Sequence, residues 1–159
     1  MSVRDYSMDV ANMVRDFLVN DNWKFSFDEE RGVFKFGLTL KGKLKSIDYR
    51  IFIGPTSYVV NAISPMGADK DSPDEMLAMA DFICRANYGL RNGNFELDMR
   101  DGEISYKCFV DCDNLVPPNE IIRNSIYVPA AMFTRYAPGI LAVSLTGASG
   151  QDAVELCED

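Results

Sequence analysis

The chain has 159 residues, of which 47% are hydrophobic, so it can bury the core of one domain but hardly of two. Its formal net charge of −8 argues against a general nucleic-acid or anionic-membrane binder, because affinity for phosphate comes mainly from Lys and Arg. No basic leader and no run of eighteen apolar residues occurs, so we expect a cytoplasmic protein that is neither exported nor embedded in a membrane.

The first half of the chain is predicted to form one helix and four antiparallel strands. Apolar residues recur at helical spacing over residues 3–18, and Asn20-Asp21-Asn22 ends that helix. Alternation with polar residues then predicts strands whose inward rows are Trp23, Phe25 and Phe27; Phe34, Phe36, Leu38 and Leu40; Ile47, Tyr49, Ile51 and Ile53; and either Tyr58, Val60 and Ala62 or Val59 and Ile63. Four such strands in succession predict a meander with one wet face.

A capped helix and a hairpin are predicted next. Ser72-Pro73-Asp74-Glu75 is typical of a capping box, and the apolar stripe that follows runs to Leu90, with Gly93 as the C-cap. The period then drops to two on either side of a turn at Asp101-Gly102, which leaves Phe109 outward. We expect this helix to cover the aromatic rows of the meander, and residues 64–71 before it to be a mobile connection.

The last part of the chain has helical spacing from Ile121 to Leu141. Pro129 is expected to kink or split this helix, and Pro138 to start another short segment. Beyond Gly147 the residues are small, polar and acidic. We therefore expect one domain over residues 1–147 and a disordered acidic tail over 148–159.

The helix-to-hairpin unit carries a resemblance to a known family. Residues 87–98, followed by 101–107, resemble the YbjN-domain family of bacterial proteins, and Arg135-Tyr136-Ala137-Pro138 is similar to that family's late helical motif. The resemblance implies an α+β fold of the type III secretion chaperone kind, in the order α-β-β-β-β-α-β-β-α, with helices packed on one face of an antiparallel sheet. Members are described as sensory-transduction regulators, and the similar chaperones are small acidic homodimers that hold an extended segment of a partner.

Residues suited to catalysis or to metal binding are sparse. Histidine is absent, and no nucleophile elbow, P-loop or G-x-G-x-x-G motif occurs. The four cysteines include no C-x-x-C pair, and Asp101-Gly102-Glu103 lacks the spacing of a calcium loop. We therefore expect no enzymatic activity, no cofactor and no metal site, and the resemblance supplies no catalytic residue.

The charges of one segment run against the rest of the chain. Between Arg31 and Arg50 lie six basic residues and a single acid, Asp48. A solvated sheet edge that lysines protect from aggregation would explain them, and so would a contact surface for an acidic partner. The candidate partner-binding residues are Arg31, Lys35, Lys41, Lys43, Lys45, Arg50 and Phe109. Nucleic acid is disfavoured because no outward aromatic pair is evident among these cations, with Phe52 the only outward aromatic expected there.

These observations favour a non-enzymatic protein-binding module, chaperone-like or regulatory, in the bacterial cytoplasm. The alternative is a small-molecule sensor that binds an apolar ligand between helix and sheet. The partner is expected to be another protein, and a homodimer through the hairpin around Phe109 is the form of self-association that we expect.

Overall fold

The computed structural model describes residues 5–158, which form six strands and four helices. The elements are α1 (Met8–Asn20), β1 (Ser26–Asp28), β2 (Val33–Thr39), β3 (Ser46–Ile53), β4 (Ser57–Ile63), α2 (Pro73–Asn87), β5 (Asn94–Leu97), β6 (Ile104–Asp111), α3 (Asn119–Thr146) and α4 (Gly150–Glu158). The predicted α+β class and the order of elements up to α3 are confirmed. Val3, the first residue of the predicted N-terminal helix, lies outside the described residues.

All six strands pair antiparallel in one sheet, in the order β1-β2-β3-β4-β6-β5. The predicted meander is therefore present, and the β5–β6 hairpin extends it beyond β4. In β4 the first of the two possible registers is the observed one, with Tyr58, Val60 and Ala62 fully buried. The helices cover that face, and the outward residues of the strands form the opposite face, which we call uncovered because no helix among residues 5–158 lies on it.

The aromatic rows of the meander pack under helices other than the predicted one. Trp23 lies against Phe36, Tyr49 and Tyr127, with ring centroids 4.9, 6.0 and 5.8 Å away. Tyr127 belongs to α3, whereas α2 packs on α3, α4 and β5. The expectation that α2 covers these aromatics is wrong, because β5 and β6 join the sheet beyond β4 and carry α2 to that side.

The start and end of α2 differ in detail from the capping prediction. Ser72 is the N-cap and accepts a hydrogen bond from the Glu75 N–H at 3.4 Å. The Glu75 carboxylate accepts from the Asp69 N–H at 2.9 Å instead of reaching Ser72, so only half of the capping box forms. The helix ends at Asn87, before the predicted Gly93, because the Asn87 side chain bonds both the N–H and the carbonyl of Phe95 and so fastens the helix end to β5.

The connection over residues 64–71 is tied to the hairpin and not free. The Ala68 N–H donates to the Gly102 carbonyl at 2.9 Å, and the Ser144 hydroxyl donates to the Gly67 carbonyl at 3.0 Å. A Cβ on Gly102, whose φ is +81°, would lie 1.9 Å from the Ala68 carbonyl oxygen. This contact between two backbones joins the connection to the hairpin turn, and its mobility stays a prediction.

Helix α3 runs unbroken through both prolines, so Pro129 does not split it and Pro138 does not start a new segment, while the alternative of a kink at Pro129 stays a prediction. Its length and composition alone would allow it to cross a membrane, but 56% of its most apolar window is buried inside the protein. Buried positions on this helix recur from Ile122 to Val143 and face the sheet and the other helices. It is a core helix that packs on the sheet and on the other helices.

The acidic end of the chain is also ordered, since residues 150–158 form α4 and pack on α2 and α3. Ala153 and Val154 are buried, and the Tyr136 hydroxyl donates to the Glu158 carboxylate at 2.6 Å. A Cβ on Gly139 would lie 2.7 Å from the Ala153 carbonyl oxygen, so glycine lets α3 and α4 approach closely. The prediction of a disordered tail is therefore wrong over these residues.

Candidate interaction surface

The uncovered face of the sheet carries an apolar row that crosses the strands. Phe52 on β3 pairs with Val59 on β4, and Val59 pairs with Phe109 on β6. The exposed fractions of the two phenylalanines are 40% and 64%. Val33 on β2 continues the row but is buried. Alternation puts these side chains outward because their neighbours, such as Ile51 and Cys108, fill the core. We call Phe52, Val59 and Phe109 the apolar row.

The strand spacing fixes the dimensions of this row. Neighbouring strands lie about 4.8 Å apart, so the two phenylalanines are separated by about 10 Å with Val59 midway between them. The next outward residues along each strand are two positions away, at about 7 Å. The apolar row is therefore accompanied by a parallel row of different chemistry at a distance that one helix or one peptide could cover.

That second row is polar and largely cationic. Lys35 on β2, Arg50 on β3, Asn61 on β4 and Lys107 on β6 are cross-strand partners in this order, and we call them the cationic row. Lys107 is engaged by Glu96 at 2.6 Å. Among the pairs formed within residues 5–158, no carboxylate lies within ion-pair distance of Lys35 or Arg50. Two cations beside the apolar row are thus available to an acidic partner.

Asn61 in the middle of the cationic row has an unusual environment. Its Oδ1 is buried and accepts no hydrogen bond from any residue that the structure describes. An acceptor left without a donor costs on the order of 1–3 kcal/mol. Beside it a depression of about 590 Å³ opens among Asn61, Leu97, Asp98, Arg100 and Ser105. The polar side of this face is therefore uneven, in contrast to the flat apolar row.

Comparisons with known proteins identify the architecture. No family model matches the chain, and no curated protein matches it. Its backbone matches the crystal structure of "YbjN, a putative transcription regulator from E. coli" with a TM-score of 0.57 at 15% sequence identity, over 79% of this chain and 90% of that one. The chain has the YbjN fold. At this identity the match shows the fold alone, and it confirms the resemblance that the helix-to-hairpin unit carries.

In this YbjN fold the predicted partner-binding residues are scattered. Lys35, Arg50 and Phe109 come together on the uncovered face. Arg31 lies in the β1–β2 turn, and the lysines at 41, 43 and 45 lie in the β2–β3 turn at one end of the sheet. β1 pairs with β2 only at residues 33–35, so residues 36–39 of β2 have no partner strand on that side among the described residues, and the turn with these lysines follows directly. The suggestion that these lysines protect a sheet edge therefore stays open beside the suggestion of a contact surface.

Phe52 and Val59 complete the surface but were not among the predicted site residues. Strand alternation predicted that Phe52 points outward, whereas for Val59 it allowed either the inward or the outward direction. What alternation cannot supply is the register between β3, β4 and β6, which places Phe52 and Phe109 in the same row. An outward aromatic pair therefore does exist beside cations, contrary to the expectation from sequence. The acids Asp48 and Glu96 on the same face still weaken an electrostatic argument for nucleic acid.

The layer between helices and sheet is filled by large side chains. Phe82, Phe95, Phe133, Tyr106 and Tyr136 are each at most 2% exposed and form edge-to-face contacts with centroids 4.8–6.3 Å apart. A ligand between helix and sheet would have to displace this packing. The sensor hypothesis therefore has no support from a preformed space among these residues.

The thiols have different environments. Cys108 is buried among the core aromatics, and this burial raises the pKa of its thiol to about 11. Burial also raises the pKa of Cys112, with a further contribution from the carboxylate of Asp111. Both shifts keep the thiols protonated and poorly nucleophilic at neutral pH. No group of three or more Cys, Asp or Glu residues suited to a metal ion occurs within residues 5–158.

Proposed function

We propose that this chain is a non-enzymatic protein-binding module of the bacterial cytoplasm, regulatory or chaperone-like, that binds its partner on the uncovered face of the sheet. The observation that supports the proposal most directly is the apolar row of Phe52, Val59 and Phe109. Two phenylalanines exposed on one sheet face are costly in water and are typical of a surface that a partner covers. The YbjN match adds a precedent, since that protein is described as "a putative transcription regulator".

Affinity capture with matched variants tests this proposal. Phe109→Asp places a charge in the apolar row, and Leu77→Asp places the same charge on α2 at a residue of nearly equal exposure, 66% against 64%. The purified chain and both variants are incubated with an extract of the source bacterium, after their circular dichroism spectra and urea midpoints have been compared. We expect one stoichiometric protein with the parent chain and with Leu77→Asp, and its loss with Phe109→Asp.

The same experiment can contradict the proposal in two ways. A partner that is recovered equally with Phe109→Asp would move the binding surface elsewhere. A small molecule that copurifies with the parent chain, without any protein, would favour the sensor hypothesis. Sedimentation of the parent chain at several concentrations separates a foreign partner from self-association, the other use predicted for the hairpin around Phe109.

A further inference from the structure

The spacing of the uncovered face constrains the shape of what can cover it. Successive residues on one side of an extended strand are about 6.7 Å apart, so no two of them span the 10 Å between Phe52 and Phe109. In an α-helix the residues i and i+7 are about 10.5 Å apart on one side, with i+3 and i+4 between them. A helix laid along the apolar row therefore presents three side chains to Phe52, Val59 and Phe109.

A polyproline II segment has a similar repeat, about 9.3 Å over three residues, but it suits this surface less well. Its backbone makes no internal hydrogen bonds, so carbonyls pressed against the apolar row would lose water without gaining a donor. Phe52, Val59 and Phe109 carry no side-chain donor. An α-helix satisfies its own backbone and can rest on purely apolar side chains.

The charge of the face sets the second constraint. The cationic row lies about 7 Å to one side of the apolar row, within the half-width and side-chain reach of a helix about 10 Å across. Lys35 and Arg50 have no ion-pair partner within the described residues, while the chain as a whole carries −8. Carboxylates on the flank of the bound helix would lie near Lys35 and Arg50 and be attracted to them.

From this geometry we infer that the partner contributes an acidic amphipathic helix, with apolar residues at i, i+4 and i+7 on the apolar row and carboxylates facing Lys35 and Arg50. The inference rests on the proposed function and specifies its partner. A second copy of this chain does not supply such a helix from the described residues. Each helix has only one exposed large apolar residue or two that are more than seven positions apart, so none has the spacing i, i+4 and i+7. These residues are Met8 and Val19 on α1, Leu77 on α2, Ile121 and Leu145 on α3, and Leu156 on α4.

A pair of designed peptides tests the inference with the purified chain. One is an amphipathic helix of about 18 residues with Leu at i, i+4 and i+7 and Glu on both flanks, long enough to be partly helical alone. The other has Lys at every Glu position. We expect the Glu peptide to bind about tenfold more tightly, and the amide resonances of residues 50, 52, 59 and 109 to shift on titration.

Charge-reversal variants then locate the interaction. Arg50→Glu should weaken binding of the Glu peptide about tenfold, whereas Lys43→Glu, in the β2–β3 turn, should change it by less than about twofold. Equal affinity for the two peptides, shifts confined to another surface, or no saturation by either peptide would overturn the inference.

A photocrosslinking experiment separates failure of this inference from failure of the proposed function. p-Benzoylphenylalanine replaces Phe52, and the chain is irradiated in the bacterial extract before the attached segment is sequenced. An acidic helical segment supports the inference. A neutral, basic or proline-rich segment overturns it but leaves the protein-binding proposal in place, whereas a nucleic acid or the absence of any adduct removes both. An adduct with a second copy of this chain would show that the uncovered face mediates self-association, and it would overturn the inference of a foreign helix.

Discussion

The Tyr49 hydroxyl donates a hydrogen bond of 2.5 Å to the backbone carbonyl of Ile126, 77 residues away in the chain. It joins the centre of β3 to α3 within one turn of Pro129, which has no N–H to give to the Ser125 carbonyl. Beside it the Ser125 hydroxyl donates to the Ile122 carbonyl at 2.6 Å, and Tyr58 lies 3.0 Å from the same hydroxyl. Since Ser125 has one hydroxyl proton, Tyr58 must be the donor. The sheet thus supplies two buried donors to α3 in the turn that precedes Pro129.

Replacing Tyr49 by Phe should therefore destabilise the fold by about 1–3 kcal/mol, because the Ile126 carbonyl loses its side-chain donor in a buried place. Burial also raises the pKa of Tyr49 well above its usual value, so the group is a neutral donor throughout the working pH range. The free energy of unfolding in urea measures the change.

Tyr58→Phe provides the matched control for this variant. The Ser125 hydroxyl keeps its own bond to the Ile122 carbonyl when the Tyr58 hydroxyl is removed. The free energy of unfolding should therefore fall by less than it does for Tyr49→Phe. Equal losses for the two variants would contradict a special role of the Tyr49 bond beside Pro129.

Only part of this arrangement can be predicted from the sequence. Alternation of apolar and polar residues is local, and it placed Tyr49 and Phe36 inward and Phe109 outward. Proline in a helical pattern predicted a kink or a break, but α3 continues through Pro129, packed on β4 and β6 and bonded from Tyr49 and Tyr58 in the turn before the proline. Those contacts depend on how distant segments meet, and a single sequence does not contain that information in readable form.

Helix α4 illustrates the same limit at the end of the chain. Its composition is polar and acidic, and only Gly150, Ala153 and Val154 become buried within it. It is held by contacts made elsewhere, such as the close approach at Gly139 and the bond from Tyr136 to Glu158. The apolar row on the candidate surface was missed for a related reason, since strand register joins Phe52 to Phe109.

The aromatic stack on β2 and β3 gives the second prediction. Phe36 is 8% exposed and lies parallel to Tyr49, with centroids 4.8 Å apart and an interplanar angle of 16°. Phe36→Ala should cost about 3–5 kcal/mol because it leaves a cavity against Tyr49 and Trp23. Trp23 is the single tryptophan, so its fluorescence follows urea unfolding directly.

The control for Phe36→Ala is Phe52→Ala on the opposite face of the same sheet. Phe52 is 40% exposed, and its truncation should cost distinctly less. A urea midpoint that falls as much for Phe52 as for Phe36 would mean that the uncovered face is covered in solution.

The backbone contact at Gly102 gives the third prediction. Gly102→Ala introduces both the strain of a positive φ and a clash with the Ala68 carbonyl. Gly89→Ala introduces only the strain, because φ is +88° there and nothing lies within 4 Å of the added Cβ. We expect Gly102→Ala to be less stable than Gly89→Ala by about 1–3 kcal/mol. Equal stabilities would show that residues 64–71 detach from the hairpin at little cost.

The last prediction concerns alkaline pH and the buried thiol of Cys108. Burial raises its pKa from 9.0 to about 11, so the folded chain holds this proton more tightly than the unfolded chain does. The stability that this proton contributes is complete below pH 9 and is lost as pH rises through 11. The free energy of unfolding should therefore fall by about 1 kcal/mol between pH 8 and 10 from this group alone.

Cys108→Ala removes this component, and its stability should decline less steeply over the same interval, whatever its stability at pH 7. Cys84→Ala is the control, because that residue is exposed on α2 and its replacement should leave the slope of the parent chain unchanged. Burial and the neighbouring Cys108 also raise the pKa values of Tyr49 and Tyr58, so the slopes are compared below pH 10, the ordinary pKa of tyrosine. Parallel curves for the two variants would place the alkaline transition on groups other than Cys108.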